Sequence, residues 1–239
     1  MLNAPRSVFL LTVLIIFSIG ATHAYAIPSF QEVKNSYKKS DAVLLDRHRE
    51  AIHELRVDSG GRRLDWTGLK EISPSLIKAV IQSEDRRFYD HHGVDWLAAG
   101  SSFIKDIFSD KRRGASTITM QLASIIDKRL RPKKSKRTFS QKWDQMKAAK
   151  EIEQKWTKEE ILEAYLNLIT FRGELQGISS ASRGLFDKIT GGLNEAESLL
   201  LASMIRSPNS SVEDISKRAC LLQISAKSNI GCDDIRMLA

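Results

Sequence analysis

The chain has 239 residues, room for one domain with a sizeable core and too few for two large ones. Hydrophobic residues make up 42% and charged residues 28%, the balance of a folded protein rather than a disordered one. A net charge of +8 narrows the partners to acidic ones: nucleic acid, an anionic membrane or a phosphate-bearing substrate.

At the start, Arg6 precedes an apolar run over residues 8–19, followed by Ala24-Tyr25-Ala26. A positive start, a short apolar run and an A-x-A site read as a Sec signal peptide. No Lys, Arg, Asp or Glu lies between Ser7 and Gln31, so the stretch also suffices as a membrane anchor. Cleavage and retention both stay open. Either one takes the domain out of the cytosol, so no nucleic acid is expected as a partner. Residues 1–26 are set apart from the fold.

Residues 29–53 read as a charged helix, a neck leading away from the membrane. Residues 54–57 and 62–66 flank Asp58-Ser59-Gly60-Gly61, a short hairpin signal. Helical patterns follow. Ser73-Pro74 opens a helix with Leu76, Ile77, Val80 and Ile81 on one face. Residues 96–108 are a second apolar-periodic stretch, broken by Arg112-Arg113-Gly114. Ser116 and Thr117 cap the next helix, with Ile118, Leu122, Ile125 and Ile126 inward. Residues 128–137 hold seven Lys or Arg and predict a loop.

Beyond that loop, Phe139, Trp143, Met146, Ala149, Ile152 and Trp156 step by three or four, a helical stripe. Thr157 and Glu160 form a capping box for a helix containing Ile161, Leu162, Tyr165 and Leu166. Gly173 and Gly177 mark a turn, then helices are predicted over 177–188 and 194–205, the second ended by Pro208. Strand signals stop after the hairpin, so the fold is expected to be mainly α. The expected organisation is a leader or anchor over 1–26, a helical neck and hairpin over 27–64, a main domain over 65–210 and a tail over 211–239. Cys220 and Cys232 lie in that tail, either paired in an oxidising compartment or both unpaired. No Cys/His spacing suits a zinc site.

Three features bear on chemistry. Glu84 stands three residues after Ile81 and seven after Ile77, at the end of an apolar helix face. Partial burial there would raise its pKa and suit it to proton transfer; a helix ending in solvent gives the same pattern. The small and hydroxyl residues from Gly114 to Thr119 open a helix whose N–H groups are placed to hold an anion, or simply to be capped. The basic run ending at Arg137, with Lys142 beyond, is either a solvated loop or a grip on pyrophosphate and lipid headgroups.

In order and spacing these features resemble glycosyltransferase family 51, the glycan-polymerising domain of class A penicillin-binding proteins. Ser83-Glu84-Asp85-Arg86-Arg87-Phe88-Tyr89-Asp90-His91-His92-Gly93 resembles the first motif and Gly114-Ala115-Ser116-Thr117-Ile118-Thr119-Met120-Gln121 the second. Arg137, Lys142 and Ile161-Leu162-Glu163-Ala164-Tyr165-Leu166-Asn167 resemble the third. Gly177-Ile178 through Ala181 to Phe186-Asp187-Lys188 resembles the fourth, and Leu193 through Glu197 to Ala202 the fifth. Phe171-Arg172-Gly173-Glu174-Leu175-Gln176-Gly177 is most similar to the class 1C proteins. Ser75-Leu76-Ile77-Lys78 matches S-x-x-K, but no K-T-G follows and no transpeptidase is expected.

The resemblance implies a lysozyme-like, two-lobed helical glycosyltransferase domain with a short N-terminal β-hairpin. It implies polymerisation of lipid II into β-1,4-linked glycan strands, with inversion and release of undecaprenyl pyrophosphate. The alternative is a catalytically impaired module that binds lipid II or nascent glycan. By resemblance Glu84 is the general base, and Thr117, Gln121, Arg137 and Lys142 bind donor and pyrophosphate. Asp85, Phe88 and His91 shape the site. Glu163, Tyr165, Asn167 and Glu197 match the family and have credible structural roles. The implied partners are lipid II, the growing glycan strand, the cytoplasmic membrane and other cell-wall synthases, on the outer, periplasmic face of the inner membrane. No cofactor is certain; family members often use a divalent cation, Mg or Mn.

Two positions depart from the pattern. Where many members carry a glutamate three residues after the lysine, this chain has Gln145, and a lysine often found three residues after the second motif's glutamine is Ser124. Both changes remove charge from the leaving-group end. Gln145 still has the groups to donate to a phosphate or hold a sugar.

Overall fold

The computed structural model describes residues 27–98, 116–131 and 139–239. Among them the fold is mainly α, as expected, and it fits a lysozyme-like helical domain. In chain order the elements are α1 (Phe30–Ser36), β1 (Asp41–Leu45), β2 (Ala51–Arg56), α2 (Pro74–Glu84), α3 (Ile118–Ile126), α4 (Phe139–Lys155) and α5 (Lys158–Leu168). There follow β3 (Thr170–Arg172), β4 (Leu175–Gln176), α6 (Ile178–Phe186), α7 (Glu195–Ile205), α8 (Val212–Ala226) and α9 (Cys232–Leu238).

The core is built around α7. Residues 196–205 of this helix are all buried, so it is covered on every side. Asn194 caps it by accepting the Glu197 N–H, and Glu197 returns a carboxylate to the Asn194 N–H. Helices α2 and α8 pack against α7. From α2 the fully buried Leu76 and Val80 supply the contact, each worth about 1.5–3 kcal/mol by burial. Pro74 opens α2 as predicted, while the Ser73 hydroxyl makes no cap and instead donates to the Leu193 carbonyl. The Thr157–Glu160 capping box of α5 forms as predicted.

The N-terminal segment departs from its helical reading. Only residues 30–36 form a helix, and α1 is no neck: Phe30 packs edge-on against Trp156 at 5.6 Å and against Trp66 at 6.2 Å. The hairpin lies upstream of its predicted place, with Asp41 paired to Arg56 and Leu44 to His53. Asp46 makes its turn, its carboxylate accepting the N–H groups of His48 and Glu50. Arg62, assigned to a strand, instead bridges to Leu175.

Strands also recur later than expected. β3 and β4 form a second small antiparallel pair around Gly173, which has a positive φ of 53°. At Gly177 (φ 81°) a Cβ would stand 2.6 Å from the Asn167 carbonyl oxygen, so α6 starts where only glycine fits. The expected tail is helical: α8 and α9 pack on α7 and on each other. The Cys220–Cys232 disulfide joins them, resolving the open choice between paired and unpaired thiols. Of the apolar stretch predicted over 96–108, only residues 96–98 are described, in helical conformation. The break at 112–114 and most of the basic loop lie outside the described residues.

Candidate active site

Glu84 is the last residue of α2, and Ile77 and Ile81 on its face pack partly against the core. Its half-buried carboxylate accepts two hydrogen bonds. The Gln121 Nε2 donates at 3.0 Å from α3, and the Ser83 hydroxyl donates at 3.1 Å. Gln121 is in turn engaged from α5, where the Tyr165 hydroxyl donates to its Oε1 at 2.9 Å. Three helices thus converge on one carboxylate. Tyr165 is completely buried. Burial first, then the negative charges of Glu84 and Asp85, push its phenol well above its ordinary value, so it stays a donor.

Asp85 ties α2 to α3. Its buried carboxylate accepts the Ile118 N–H at 3.0 Å, at the positive end of α3, and His91 Nε2 at 3.0 Å. Thr117 is the N-cap of α3: its hydroxyl accepts the Met120 N–H and donates to the Gly93 carbonyl at 2.6 Å. Gly93 has a φ of 88°, and a Cβ there would sit 2.7 Å from the Ala149 carbonyl of α4, so the loop lies flat on that helix. Phe88 is wholly buried, with the Lys158 ammonium 4.5 Å from its ring centre; Lys158 also donates to the His91 carbonyl and pairs with Glu153.

Asp85, Phe88, His91 and Thr117 are therefore committed to protein contacts that tie residues 85–93 to the starts of α3 and α5. The anion grip expected at the start of α3 is largely used up from within: Asp85 takes the Ile118 N–H and Thr117 that of Met120. Cationic charge does reach this end. The Lys142 Nζ donates to Ser116 Oγ at 2.7 Å, one residue before the cap. Arg137 lies outside the described residues.

Gln145 is placed differently from its expected role. It is wholly buried on α4, with Nε2 donating to the Met120 carbonyl at 2.6 Å and to Ser124 Oγ at 2.8 Å. Its Oε1 has no partner among the described residues. A glutamine turned inward in this way is a packing element. Among the described residues no three His, Cys, Asp or Glu side chains converge to hold a metal. Asp85 spends its oxygens on His91 and Ile118, so the described residues do not by themselves fit a Mg or Mn site.

Glu163 accepts hydrogen bonds from Trp66, Lys34 and the Leu69 N–H, and Asn167 brackets Thr67 from both sides. Tyr165, whose spacing marks it as core, is completely buried; the partner of its hydroxyl lies 44 residues away, beyond any local pattern.

Residues 48–225 match the Transglycosylase family. Penicillin-binding protein 2D of Bacillus subtilis is 37% identical over 150 residues, covering 62% of this chain and 21% of that protein. Proteins named biosynthetic peptidoglycan transglycosylase are similar as well. One from Rhodospirillum centenum is 36% identical over 156 residues (64% of this chain, 65% of that protein). One from Bdellovibrio bacteriovorus is 34% identical over 148 residues (62% of this chain, 57% of that protein). The chain spans less than two thirds of the length of each of these relatives.

Proposed function

The chain belongs to the Transglycosylase family, and from that membership we propose that it is a peptidoglycan glycosyltransferase that polymerises lipid II. The observation that carries the reading is the Glu84 carboxylate, half-buried at the end of an apolar helix and steadied by the Gln121 amide at 3.0 Å. In the proposed reaction the 4-hydroxyl of the lipid II GlcNAc attacks C1 of the MurNAc at the lipid-linked end of the growing chain. The hydroxyl proton passes to Glu84, the C1–O bond to undecaprenyl pyrophosphate breaks, and the pyrophosphate leaves with the electron pair. Attack from the face opposite the leaving group converts the α-linkage into a β-1,4 bond. Pyrophosphate departs without a proton, so the leaving-group end needs positive charge rather than an acid. Lys142 at the head of α3 supports that role. Holding both sugars in line supplies much of the remaining acceleration.

The binding-module alternative is not favoured, because the family is that of transglycosylases and similar proteins are named biosynthetic peptidoglycan transglycosylase. The test is incubation of the purified full chain with lipid II in detergent. Glycan polymer is expected from wild type, and Glu84→Gln is expected to cut the rate by about 10²- to 10⁴-fold. A Glu84→Gln chain as fast as wild type would remove Glu84 from the chemistry, and a silent wild type that still binds lipid II would return the module reading.

We place the domain on the outer face of the cytoplasmic membrane. The charge-free stretch between Ser7 and Gln31 supports export, and the Cys220–Cys232 disulfide suits an oxidising compartment. No helix among the described residues is long and apolar enough to cross a membrane. Membrane contact is instead supported by the exposed Trp96, Leu97 and Trp143, which line an apolar hollow of about 650 Å³ together with Lys147 and Lys150.

A further inference from the structure

The assembly that ends on Glu84 begins at a phenol buried in the core. Tyr165 is completely buried, and its hydroxyl donates to Gln121 Oε1 at 2.9 Å. The other end of the same amide donates to Glu84 Oε2 at 3.0 Å. A primary amide has one accepting end and one donating end. With Oε1 claimed by the phenol, the NH2 group faces Glu84. Turned over, the amide would aim a carbonyl oxygen at a carboxylate, an arrangement that suits only the protonated acid.

We propose that Tyr165 is a positioning residue for the base: its hydroxyl fixes the orientation of the Gln121 amide, so that the donating end of that amide meets the Glu84 carboxylate. The inference deepens the reading of Glu84 as the base and rests on it. Tyr165 does not exchange protons itself, because burial and then the charges of Glu84 and Asp85 keep its phenol protonated. Asp85 and His91 bond one another just beyond α2, and Lys142 is bonded to Ser116 at the head of α3. Helix α8, packed on α2, meets it through the Ser225 carbonyl, which accepts from Gln82. The neutral Gln121 amide is the group through which α5 reaches the carboxylate.

The test is a 13C NMR titration of the glutamate carboxyls, with the Glu84 signal assigned by its loss in Glu84→Gln. Wild type, Tyr165→Phe, Gln121→Met and the double variant are compared, each checked for folding by circular dichroism. Losing a hydrogen bond to the charged form raises the pKa. Tyr165→Phe is expected to raise the Glu84 midpoint by about one pH unit. The acid limb of the kcat profile on lipid II should move up by the same amount, with KM little changed. Gln121→Met alone should raise the midpoint at least as far, and Tyr165→Phe should add nothing in that background. An unmoved midpoint in Tyr165→Phe, or an equal shift in both backgrounds, overturns the proposal. If wild type makes no glycan, the proposed activity fails while the titration still decides whether Tyr165 acts through Gln121.

Discussion

Gln145 and Ser124, 21 residues apart, meet inside the protein: the Gln145 amide donates to the Ser124 hydroxyl at 2.8 Å. These are the two positions at which the sequence departs from the family resemblance, so the departures form one contact. Where a lysine and a glutamate would place two opposite charges, this chain places two neutral groups. A buried charge is tolerated only with a partner. Gln145→Glu alone would aim a carboxylate at the Met120 carbonyl, with no cation bonded to Gln145 among the described residues, and should destabilise the fold by about 3 kcal/mol. Adding Ser124→Lys should recover most of that loss. Urea denaturation of the two single variants and the double variant measures the coupling; additive effects would show that the positions are independent.

Asp85 is expected to matter for assembly rather than for proton transfer. Its carboxylate is hydrogen-bonded on one side to the α3 terminus and on the other to His91. Asp85→Asn removes a charged acceptor and should cost about 2 kcal/mol of stability. The residual activity should keep the wild-type acid limb, because Glu84 and its amide donor remain. A displaced limb with unchanged stability would instead make Asp85 part of the chemistry.

What the sequence revealed was what neighbouring residues decide among themselves. Thr157 with Glu160, Thr117 before Ile118, and Pro74 each set a helix start through contacts within one turn. The hairpin was misplaced because its strands gain their hydrogen bonds from each other and its turn comes from Asp46, which reads equally well as a helix residue. Helices α8 and α9 were taken for a tail because what holds them is packing on α7 and a disulfide, neither of which is a local property. At the site, Glu84 was singled out by the family resemblance, since its apolar spacing fits a helix end in solvent as well. Its control by Tyr165 was not, since a hydroxyl on a buried face looks like any other core aromatic until its partner on another helix is known.

Acid should loosen the N-terminal segment before the core. Burial pushes the Glu163 carboxyl up, but the Trp66 indole, the Leu69 N–H and Lys34 together outweigh it and hold the group below its ordinary value. A carboxyl with a depressed folded-state pKa contributes stability that is fully present above its unfolded value and lost as pH falls through the folded one. The loss should therefore set in below about pH 4.3 and deepen until the folded value is passed. Hydrogen exchange and tryptophan fluorescence during acid titration follow the release of α1 from Trp66 and Trp156. Glu163→Gln should abolish this pH response and leave α1 looser at neutral pH. An unchanged response in that variant would move the effect to another carboxylate.

The aromatic cluster beside His91 should set membrane affinity. Trp96 is 64% exposed, Leu97 73% and Trp143 48%, an arrangement that water alone does not favour. Lys147 and Lys150 border the same hollow, so apolar side chains lie next to groups that attract anionic headgroups. Burying one such side chain in lipid is worth about 1.5–3 kcal/mol. Replacing Trp96 and Leu97 by glutamate removes that gain and adds repulsion, so binding to vesicles rich in phosphatidylglycerol should fall by more than about tenfold. Ile189→Glu supplies the control, because Ile189 is 82% exposed but lies outside this cluster. Vesicle flotation of the three proteins reads the effect. If the control loses as much binding as the double variant, attraction between the basic chain and the anionic surface is enough, and the cluster has no separate role.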